Sequence, residues 1–219
     1  MDLLQRNHQL LLKGINCTFL RYLHARIEWE DRLIGIFGSR GVGKTTLLLQ
    51  HIKLKFEDSR EALYVNLDDF WFETHSLTDA VKEFLQAGGH YLFLDEIHFY
   101  SSWMEEVSTL LDANPALKIV FATTSLYSQT EVRNGLRHGA AFYTMHPMSF
   151  REFLSYESIL DKDPIPLEDI LANHHDLVKE INAEMNIVPI YRNYLEHGCY
   201  PFYWQDPDMY YFRLQELVR

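Results

Sequence analysis

Short runs of apolar residues recur along much of the chain, separated by stretches of helical length. Five such runs predict β-strands, at Leu33–Phe37, Ala62–Leu67, Tyr91–Asp95, Leu117–Thr123 and Ala141–Met145. Apolar positions with helical spacing between them predict helices at Thr45–Phe56, Leu77–Gln86 and Trp103–Leu111. Apolar strands that alternate with helices are typical of a parallel sheet covered on both faces. The pattern therefore predicts an α/β fold with three layers, helix, sheet and helix.

The two ends of the chain follow a different pattern. In residues 1–28 apolar side chains recur close to the helical period, which predicts an amphipathic helical segment with Gly14 as its candidate break. Beyond the last predicted strand, helices are predicted at Ser149–Ser155, Pro166–Met185 and Tyr191–His197. We therefore divide the chain into a helical lead-in at 1–32, an α/β core at 33–148 and a helical segment at 149–219.

Composition and charge exclude several classes of protein. With 219 residues, 47% of them hydrophobic, the chain can bury a core and is not intrinsically disordered. The formal net charge is −11, and residues 151–219 hold 6 basic against 13 acidic residues, so direct contact with nucleic acid is not expected. Two cysteines make no disulfide framework, and no apolar run reaches membrane length. We expect a soluble, cytoplasmic protein with no membrane partner.

A glycine-rich segment directly follows the first predicted strand. It reads Gly38-Ser39-Arg40-Gly41-Val42-Gly43-Lys44-Thr45-Thr46 and matches the pattern G-x-x-x-x-G-K-[ST]. Such glycines let the backbone N–H groups converge on a phosphate, and the next helix directs the positive end of its dipole at the same oxygens. A chance match is the alternative, but a strand before the motif and a helix after it are both predicted. The sequence therefore predicts that these nine residues bind the phosphates of a nucleotide.

The last residues of this phosphate loop have distinct chemical roles. Lys44 is expected to bridge the β- and γ-phosphates, and the Thr45 hydroxyl is expected to be a Mg²⁺ ligand. Thr46 is placed to reach the α-phosphate. Arg40 either reaches a phosphate or points to solvent, and the sequence favours neither.

Two carboxylates, Asp95 and Glu96, end the third predicted strand. Ligands of open α/β sheets bind at the carboxyl ends of the strands, so this pair is expected near the phosphate loop. Asp95 at the strand tip is expected to hold Mg²⁺. Glu96 is expected to orient and deprotonate the water that attacks the γ-phosphate of the nucleotide. A helix cap or a solvated loop is the alternative for an acidic pair taken alone.

Polar residues also end the second and fourth predicted strands. Thr123, Thr124 and Ser125 would lie next to the γ-phosphate, where a hydroxyl can bond the phosphate or the attacking water; a strand-end turn is the alternative. Asp68 and Asp69 either face the ligand or form a cap and turn.

Charge that develops on a transferred phosphoryl group needs a cation, supplied by the same chain or by a neighbour. Arg133 and Arg137, between the fourth and fifth predicted strands, are the candidates. Each could equally be a surface residue.

Together these motifs resemble the AAA-type ATP-binding proteins of the archaeal-ATPase-like group, which are typical of Bacteroides-type genomes. The resemblance is carried by five segments, Ile34–Leu48, Tyr64–Asp69, Gly88–His98, Met148–Leu154 and Gly198–Phe202. The phosphate loop is shared by all such NTPases, whereas the last two segments are specific to the group.

The resemblance implies a P-loop NTPase core with strand order 5-1-4-3-2 and a helical lid from about Phe150. It also implies ATP as the nucleotide, with Mg²⁺. Members of the group are normally longer and continue into a winged-helix region and a further carboxy-terminal domain. We therefore expect the lid to be incomplete. The expected partners are ATP or ADP, and either the chain's own missing carboxy-terminal domains or another protein. A homo-oligomer is left open.

The sequence departs from the group at two places. The group ends its fourth strand in threonine-glycine-serine-serine, whereas this chain has Thr123-Thr124-Ser125-Leu126, so a sensor role is carried over to Thr123 and Ser125. The group has leucine-serine-arginine-arginine before its fifth strand, whereas this chain has Leu136-Arg137-His138-Gly139, which displaces Arg137 by one residue.

Two functions of different classes are compatible with these residues. The first is Mg²⁺-dependent ATP binding and hydrolysis by a AAA-like module of a larger protein, with Glu96, Lys44, Thr123, Ser125 and Arg137 as catalytic residues. The alternative is a nucleotide-sensing switch that binds ATP or ADP and has little or no turnover.

Overall fold

We describe the fold from a computed structural model, which describes residues 2–56, 60–124, 128–160, 162 and 165–218. The chain forms two compact units, Met1–His146 and Pro147–Arg219. The first unit contains a sheet of five strands, at β1 Leu33–Phe37, β2 Ala62–Asn66, β3 Tyr91–Asp95, β4 Lys118–Thr123 and β5 Ala141–Thr144. All pairings are parallel and the order is β2-β3-β4-β1-β5. The predicted P-loop NTPase fold with strand order 5-1-4-3-2 is confirmed.

Helices connect and cover these strands. The first unit holds α1 Asp2–Gly14, α2 Lys44–Lys55, α3 Leu77–Gln86, α4 Trp103–Ala113 and α5 Gln129–Gly135. The second holds α6 Phe150–Tyr156, α7 Leu167–Glu184, α8 Ile187–Asn193 and α9 Tyr210–Val218. The lead-in is helical to Gly14 and again in a short 3-10 helix at Tyr22–Arg26. The apolar spacing in the sequence did not distinguish one long helix from these two pieces.

The strands are apolar because both faces of the sheet are covered. Every residue of β1 is buried, and the largest fully buried side chains include Trp103, Phe93 and Phe121. The register aligns Phe37 with Thr123 and Asn66 with Asp95, so the carboxyl ends of neighbouring strands meet at one edge. That edge carries the loop after β1 and the polar residues after β3 and β4.

The lead-in packs against this sheet through specific hydrogen bonds. Gln50 on α2 donates to the carbonyl oxygens of Asn16 at 2.7 Å and Phe19 at 2.9 Å. His8 on α1 is buried, and its Nδ1 accepts a hydrogen bond from the backbone N–H of Tyr64 on β2 at 3.1 Å. Burial lowers the pKa of His8 to about 4, so the imidazole is neutral and can accept at Nδ1.

The second unit is helical, and its first helix has a strong start signal. Ser149 and Glu152 form a capping box at the beginning of α6, and Phe153 on that helix is buried. The prediction of a helix at Tyr191–His197 was wrong in its limits, because α8 begins at Ile187 and a π-helical turn follows it at Tyr194–Gly198. Among the described residues, no helix is both long enough and apolar enough to cross a membrane.

Candidate functional site

The loop between β1 and α2 is fixed by close backbone contacts. Gly38 donates its N–H to the carbonyl oxygen of Thr123 at 3.2 Å, and a Cβ at Gly38 would lie 2.5 Å from the carbonyl oxygen of Met145. Gly43, directly before α2, has a φ of 101°, which side chains other than glycine rarely adopt. The first and last glycines of the motif are therefore required by the geometry, one by close approach and one by conformation.

Lys44 begins α2 and lies against the loop. Its side chain is buried, and Nζ donates to the carbonyl oxygens of Gly38 at 2.9 Å and Ser39 at 3.0 Å. Burial lowers the pKa of Lys44, and the charges of Glu96 and Asp95 oppose that shift. The ammonium group thus lies within electrostatic range of both carboxylates.

Asp95 and Thr45, the two predicted metal ligands, are in direct contact. Asp95 is 1% exposed, and its Oδ2 accepts a hydrogen bond from Thr45 Oγ1 at 2.5 Å. The same Oδ2 accepts from the hydroxyl of Tyr64 at 2.9 Å, and Oδ1 accepts from the backbone N–H of Glu96 at 3.0 Å. The start of α2 and the end of β3 therefore bring an alcohol and a carboxylate into direct contact next to the phosphate loop.

Glu96 has a different environment from its neighbour. Its backbone is left-handed, with a φ of 52°, which costs a residue other than glycine on the order of 1 kcal/mol. Burial, and after it the charge of Asp95, raises the pKa of Glu96 above its ordinary value. Its Oε2 is buried with no hydrogen-bond partner among the described residues, and His98 Nδ1 lies 3.4 Å away. A carboxylate of this kind has a free lone pair and increased basicity, as a general base requires.

The end of β4 offers two further unpaired hydroxyls. Thr123 is fully buried, and neither its Oγ1 nor that of Thr124 has a hydrogen-bond partner within the described part of the chain. Thr123 is paired in register with Phe37, the residue before the phosphate loop. Ser125, the other predicted sensor, lies outside the described residues.

The arginines separate into those near the loop and those away from it. Arg40 is exposed on the loop, and its charge opposes the rise in the pKa of Glu96 and adds to the lowering of the pKa of Lys44. Arg137, in contrast, pairs with Asp112 at 3.2 Å and donates to Thr109. Arg133 lies over the ring of Phe142.

Arg137 is not brought to the phosphate loop. Its partner Asp112 is near the end of α4, the helix that leads from the carboxyl end of β3 back to the amino end of β4. The guanidinium group therefore belongs to the opposite edge of the sheet. The predicted catalytic contact of Arg137 within the same chain finds no support in this placement.

A family described as AAA domain matches residues 30–154, which is more than half of the chain. The chain belongs to the AAA domain family. The matched range of this AAA domain includes the phosphate loop, Asp95, Glu96 and Thr123. The site is therefore of the nucleotide-binding type.

Several solved structures are similar to this AAA domain chain at low sequence identity. C. elegans PCH-2 is 14% identical with a TM-score of 0.38, over 76% of this chain and 50% of that chain. AMPPCP-bound DnaA from Aquifex aeolicus is 17% identical with a TM-score of 0.39, over 78% and 57%. Saccharomyces cerevisiae RIF2 is 13% identical with a TM-score of 0.49, over 92% and 84%.

This chain spans about half the length of the first two of these proteins, 50% and 57%. At such identities and TM-scores the similarity carries no information on what this chain binds. No match is found among curated proteins.

The structure adds to the AAA domain site two residues, Arg21 and Tyr64, that were assigned no role from the sequence. Arg21, from the lead-in, is buried and donates to the carbonyl oxygens of Val42 in the loop at 2.6 Å and of His146 at 2.8 Å. Tyr64, within the apolar run of β2, donates to Asp95. A buried tyrosine needs a partner for its hydroxyl, and that requirement is the only sequence-level signal for Tyr64.

The two aspartates after β2 have different roles in this AAA domain. Asp69 accepts a hydrogen bond from the backbone N–H of Trp71 at 3.0 Å and so caps the following 3-10 helix. Asp68 is exposed, and its charge contributes to raising the pKa of Glu96. The capping interpretation therefore fits Asp69, whereas the negative charge of Asp68 acts on Glu96.

Proposed function

We propose that this chain binds ATP with Mg²⁺ and hydrolyses it to ADP and phosphate, as the ATPase module of a larger, cytoplasmic AAA-type protein. The observation that carries the proposal is the contrast at the end of β3. Asp95 is hydrogen-bonded to Thr45 of the phosphate loop, while the next carboxylate, Glu96, keeps a buried oxygen without a hydrogen-bond partner in the described part.

Nucleotide binding in this proposal uses the loop from Gly38 to Thr46. Backbone N–H groups and the amino end of α2 attract the phosphates, and Lys44 contributes a positive charge beside them. A hydroxyl oxygen and a carboxylate are the hard donors that Mg²⁺ prefers, so Thr45 and Asp95 fit as its protein ligands. When bound, Mg²⁺ supplies positive charge that offsets the charge of the phosphates.

Hydrolysis in this proposal depends on Glu96 as the base. The carboxylate accepts a proton from water while the water oxygen bonds to the γ-phosphorus, and the bond from that phosphorus to the bridging oxygen breaks. Thr123, whose buried hydroxyl has no partner among the described residues, would donate to the γ-phosphate or orient the water. We propose the same role for Ser125.

The cation for the transferred phosphoryl group has two sources in this proposal. Arg40 lies within electrostatic range of Lys44 and Glu96 in the same chain. Arg137, exposed on another part of the unit, would act only toward a second copy, which makes a homo-oligomer part of the proposal. Membership of the archaeal-ATPase-like group and a lid role for residues 149–219 belong to the same proposal.

A sensing switch with little turnover is the second candidate. The placement of Arg137 favours it, because this arginine pairs with Asp112 and not with the site. In that case the bound nucleotide would control contacts with partner proteins, and no reaction would follow.

Calorimetry with Mg²⁺-ATP, together with a phosphate-release assay, tests both candidates. Lys44→Ala should abolish binding, and Glu96→Gln should keep binding and lose turnover. Lys82→Ala and Glu105→Gln, at exposed positions of α3 and α4, are the matched controls and should behave as wild type. Binding without turnover in the wild type would favour the switch, and no binding in the wild type would refute both.

A further inference from the structure

The carboxylate of Asp95 accepts hydrogen bonds from three donors that lie in different parts of the fold. Thr45 belongs to the phosphate loop, and the N–H of Glu96 belongs to the strand end itself. Tyr64 belongs to the neighbouring strand and reaches the same oxygen as Thr45, at 2.9 Å. Unlike Thr45 and Glu96, Tyr64 lies neither in the phosphate loop nor next to Asp95 in the chain.

The sheet register explains why Tyr64 can reach this position. Tyr64 is paired with Phe93 and Asn66 with Asp95, so Tyr64 lies two pairs further from the carboxyl edge and its side chain emerges on the same face as that of Asp95. The length of a tyrosine ring then carries the hydroxyl to the carboxylate. Phenylalanine at this position would fill the same space and leave Asp95 Oδ2 with one donor fewer.

The backbone and ring of Tyr64 are also fixed. Its N–H donates to His8 on α1 at 3.1 Å, and the residue is only 5% exposed. A hydroxyl on such a rigid support restricts the carboxylate to one orientation. Outer groups of this kind orient the ligands of protein-bound metals, and removing one commonly weakens metal affinity about 10- to 100-fold.

We propose that Tyr64 is a positioning residue that holds Asp95 in the orientation in which its carboxylate binds Mg²⁺. This inference rests on the proposed function, because it assigns Tyr64 to the Mg²⁺ that accompanies the nucleotide. Tyr64 touches neither metal nor nucleotide in this role. Its effect reaches the metal only through Asp95.

The test is a Mg²⁺ titration of the binding of fluorescent ADP to the full chain, with ADP affinity in EDTA measured alongside. Tyr64→Phe should require about tenfold more Mg²⁺ for half-maximal enhancement of binding, while its ADP affinity in EDTA stays at the wild-type value. Tyr64→Met, which also lacks the hydroxyl and packs differently, should give the same shift.

Tyr91→Phe is the matched control. Tyr91 lies on the adjacent strand, and its hydroxyl donates to Glu30 at the other end of the sheet, so its Mg²⁺ midpoint should equal that of the wild type. An unchanged midpoint in Tyr64→Phe would overturn the inference and leave the proposed function intact. An equal loss of ADP affinity with and without Mg²⁺ would also overturn it, because a structural defect does that. Wild-type protein that binds no ADP would refute the proposed function, and the inference with it.

Discussion

The two ends of the parallel sheet differ in how their side-chain oxygen atoms are satisfied. At the amino ends, the carboxylate of Glu30 pairs with Lys118 and, at 3.2 Å, with Lys55. Arg32 donates through Nη2 to the carbonyl oxygens of Leu111 and Asn114, although its Nε is buried without a hydrogen-bond partner among the described residues. At the carboxyl ends, buried oxygens without hydrogen-bond partners in the described residues belong to Glu96, Thr123 and Thr124.

This difference indicates that the polar side chains at the amino ends serve the structure, whereas those at the carboxyl ends serve the function. A buried polar atom without a partner costs about 1 to 3 kcal/mol, so several of them in one place are a reason to look for a ligand. Exposed ion pairs contribute about 0 to 1 kcal/mol each and can be changed with little effect. We therefore expect substitutions at the carboxyl ends to change function and those at the amino ends to leave it intact.

Glu96→Gln should give the largest effect, a loss of turnover of about 100- to 10,000-fold. The substitution should also raise the denaturant midpoint at pH 7.5. Because folding raises the pKa of Glu96, the ionised carboxylate lowers the free energy of unfolding at a pH above that pKa. Glutamine carries no charge and avoids this loss. Phosphate release and urea unfolding measure the two effects. A lower denaturant midpoint in Glu96→Gln would mean that Glu96 stabilises the fold, and would contradict a purely functional role for its carboxylate.

Arg21→Met should lower the free energy of unfolding by about 3 kcal/mol, because two hydrogen bonds from a buried charged donor are lost. The loop carbonyl of Val42 then loses its support, so ATP affinity should fall as well. Urea unfolding and calorimetry measure these changes. Arg26→Met, at an exposed position of the same segment, should change neither quantity.

Acid should destabilise the fold through two buried histidines. Burial lowers the pKa of His8 to about 4 and of His51 to about 3, from an ordinary 6.5. The unfolded chain binds more protons in that window, so stability falls as the pH drops from 6.5 towards 4, by about 1.4 kcal/mol per unit for each histidine. Unfolding midpoints between pH 8 and 4 measure the slope, which should be smaller in His8→Gln.

Thr123→Val should reduce turnover about tenfold without reducing stability. Valine has a similar shape, and the hydroxyl that it removes has no partner in the described part of the chain, so no hydrogen bond within the fold is lost. Thr109→Val on α4 is the control for stability, since that hydroxyl donates to the carbonyl oxygen of Glu105 in its own helix and accepts from Arg137. A clear loss of stability in Thr123→Val would mean that the hydroxyl is structural.

Glu30→Gln should have the smallest effect, less than about 1 kcal/mol in unfolding free energy and none on turnover. Lys118 and Lys55 hold the pKa of Glu30 at about 2, but the side chain is largely exposed and water screens these pairs. Urea unfolding in low and high salt checks the prediction. A strong effect on turnover would remove the functional distinction between the two ends of the sheet.

The strands were predictable because their apolar runs are nearly continuous, whereas their order was implied by the resemblance to the archaeal-ATPase-like group. The limits of β2, β4 and β5 differ from the predictions by one residue each. Helix α5 was not predicted, and a helix at the end of the chain was expected without limits for α9. The first is short, with Val132 as its buried residue, and the second lies in an aromatic segment without clear periodicity.

The candidate site could be predicted where a motif fixes spacing along the chain. Lys44, Thr45, Asp95 and Glu96 fall within two such motifs. Arg21 and Tyr64 come from other segments and reach the site only through tertiary packing, which spacing cannot show. Arg137 was named for its position between two strands, but such a position does not specify which end of the sheet its side chain approaches.

The bond from Tyr64 to His8 has a consequence for self-association. β2 is one of the two edge strands of the sheet, and the outward N–H groups of such a strand can pair with a strand of another molecule. The imidazole of His8 already accepts the N–H of Tyr64, and α1 contacts both β2 and α2. Displacing α1 would therefore leave this flank of the sheet open, and intermolecular β-pairing would begin there.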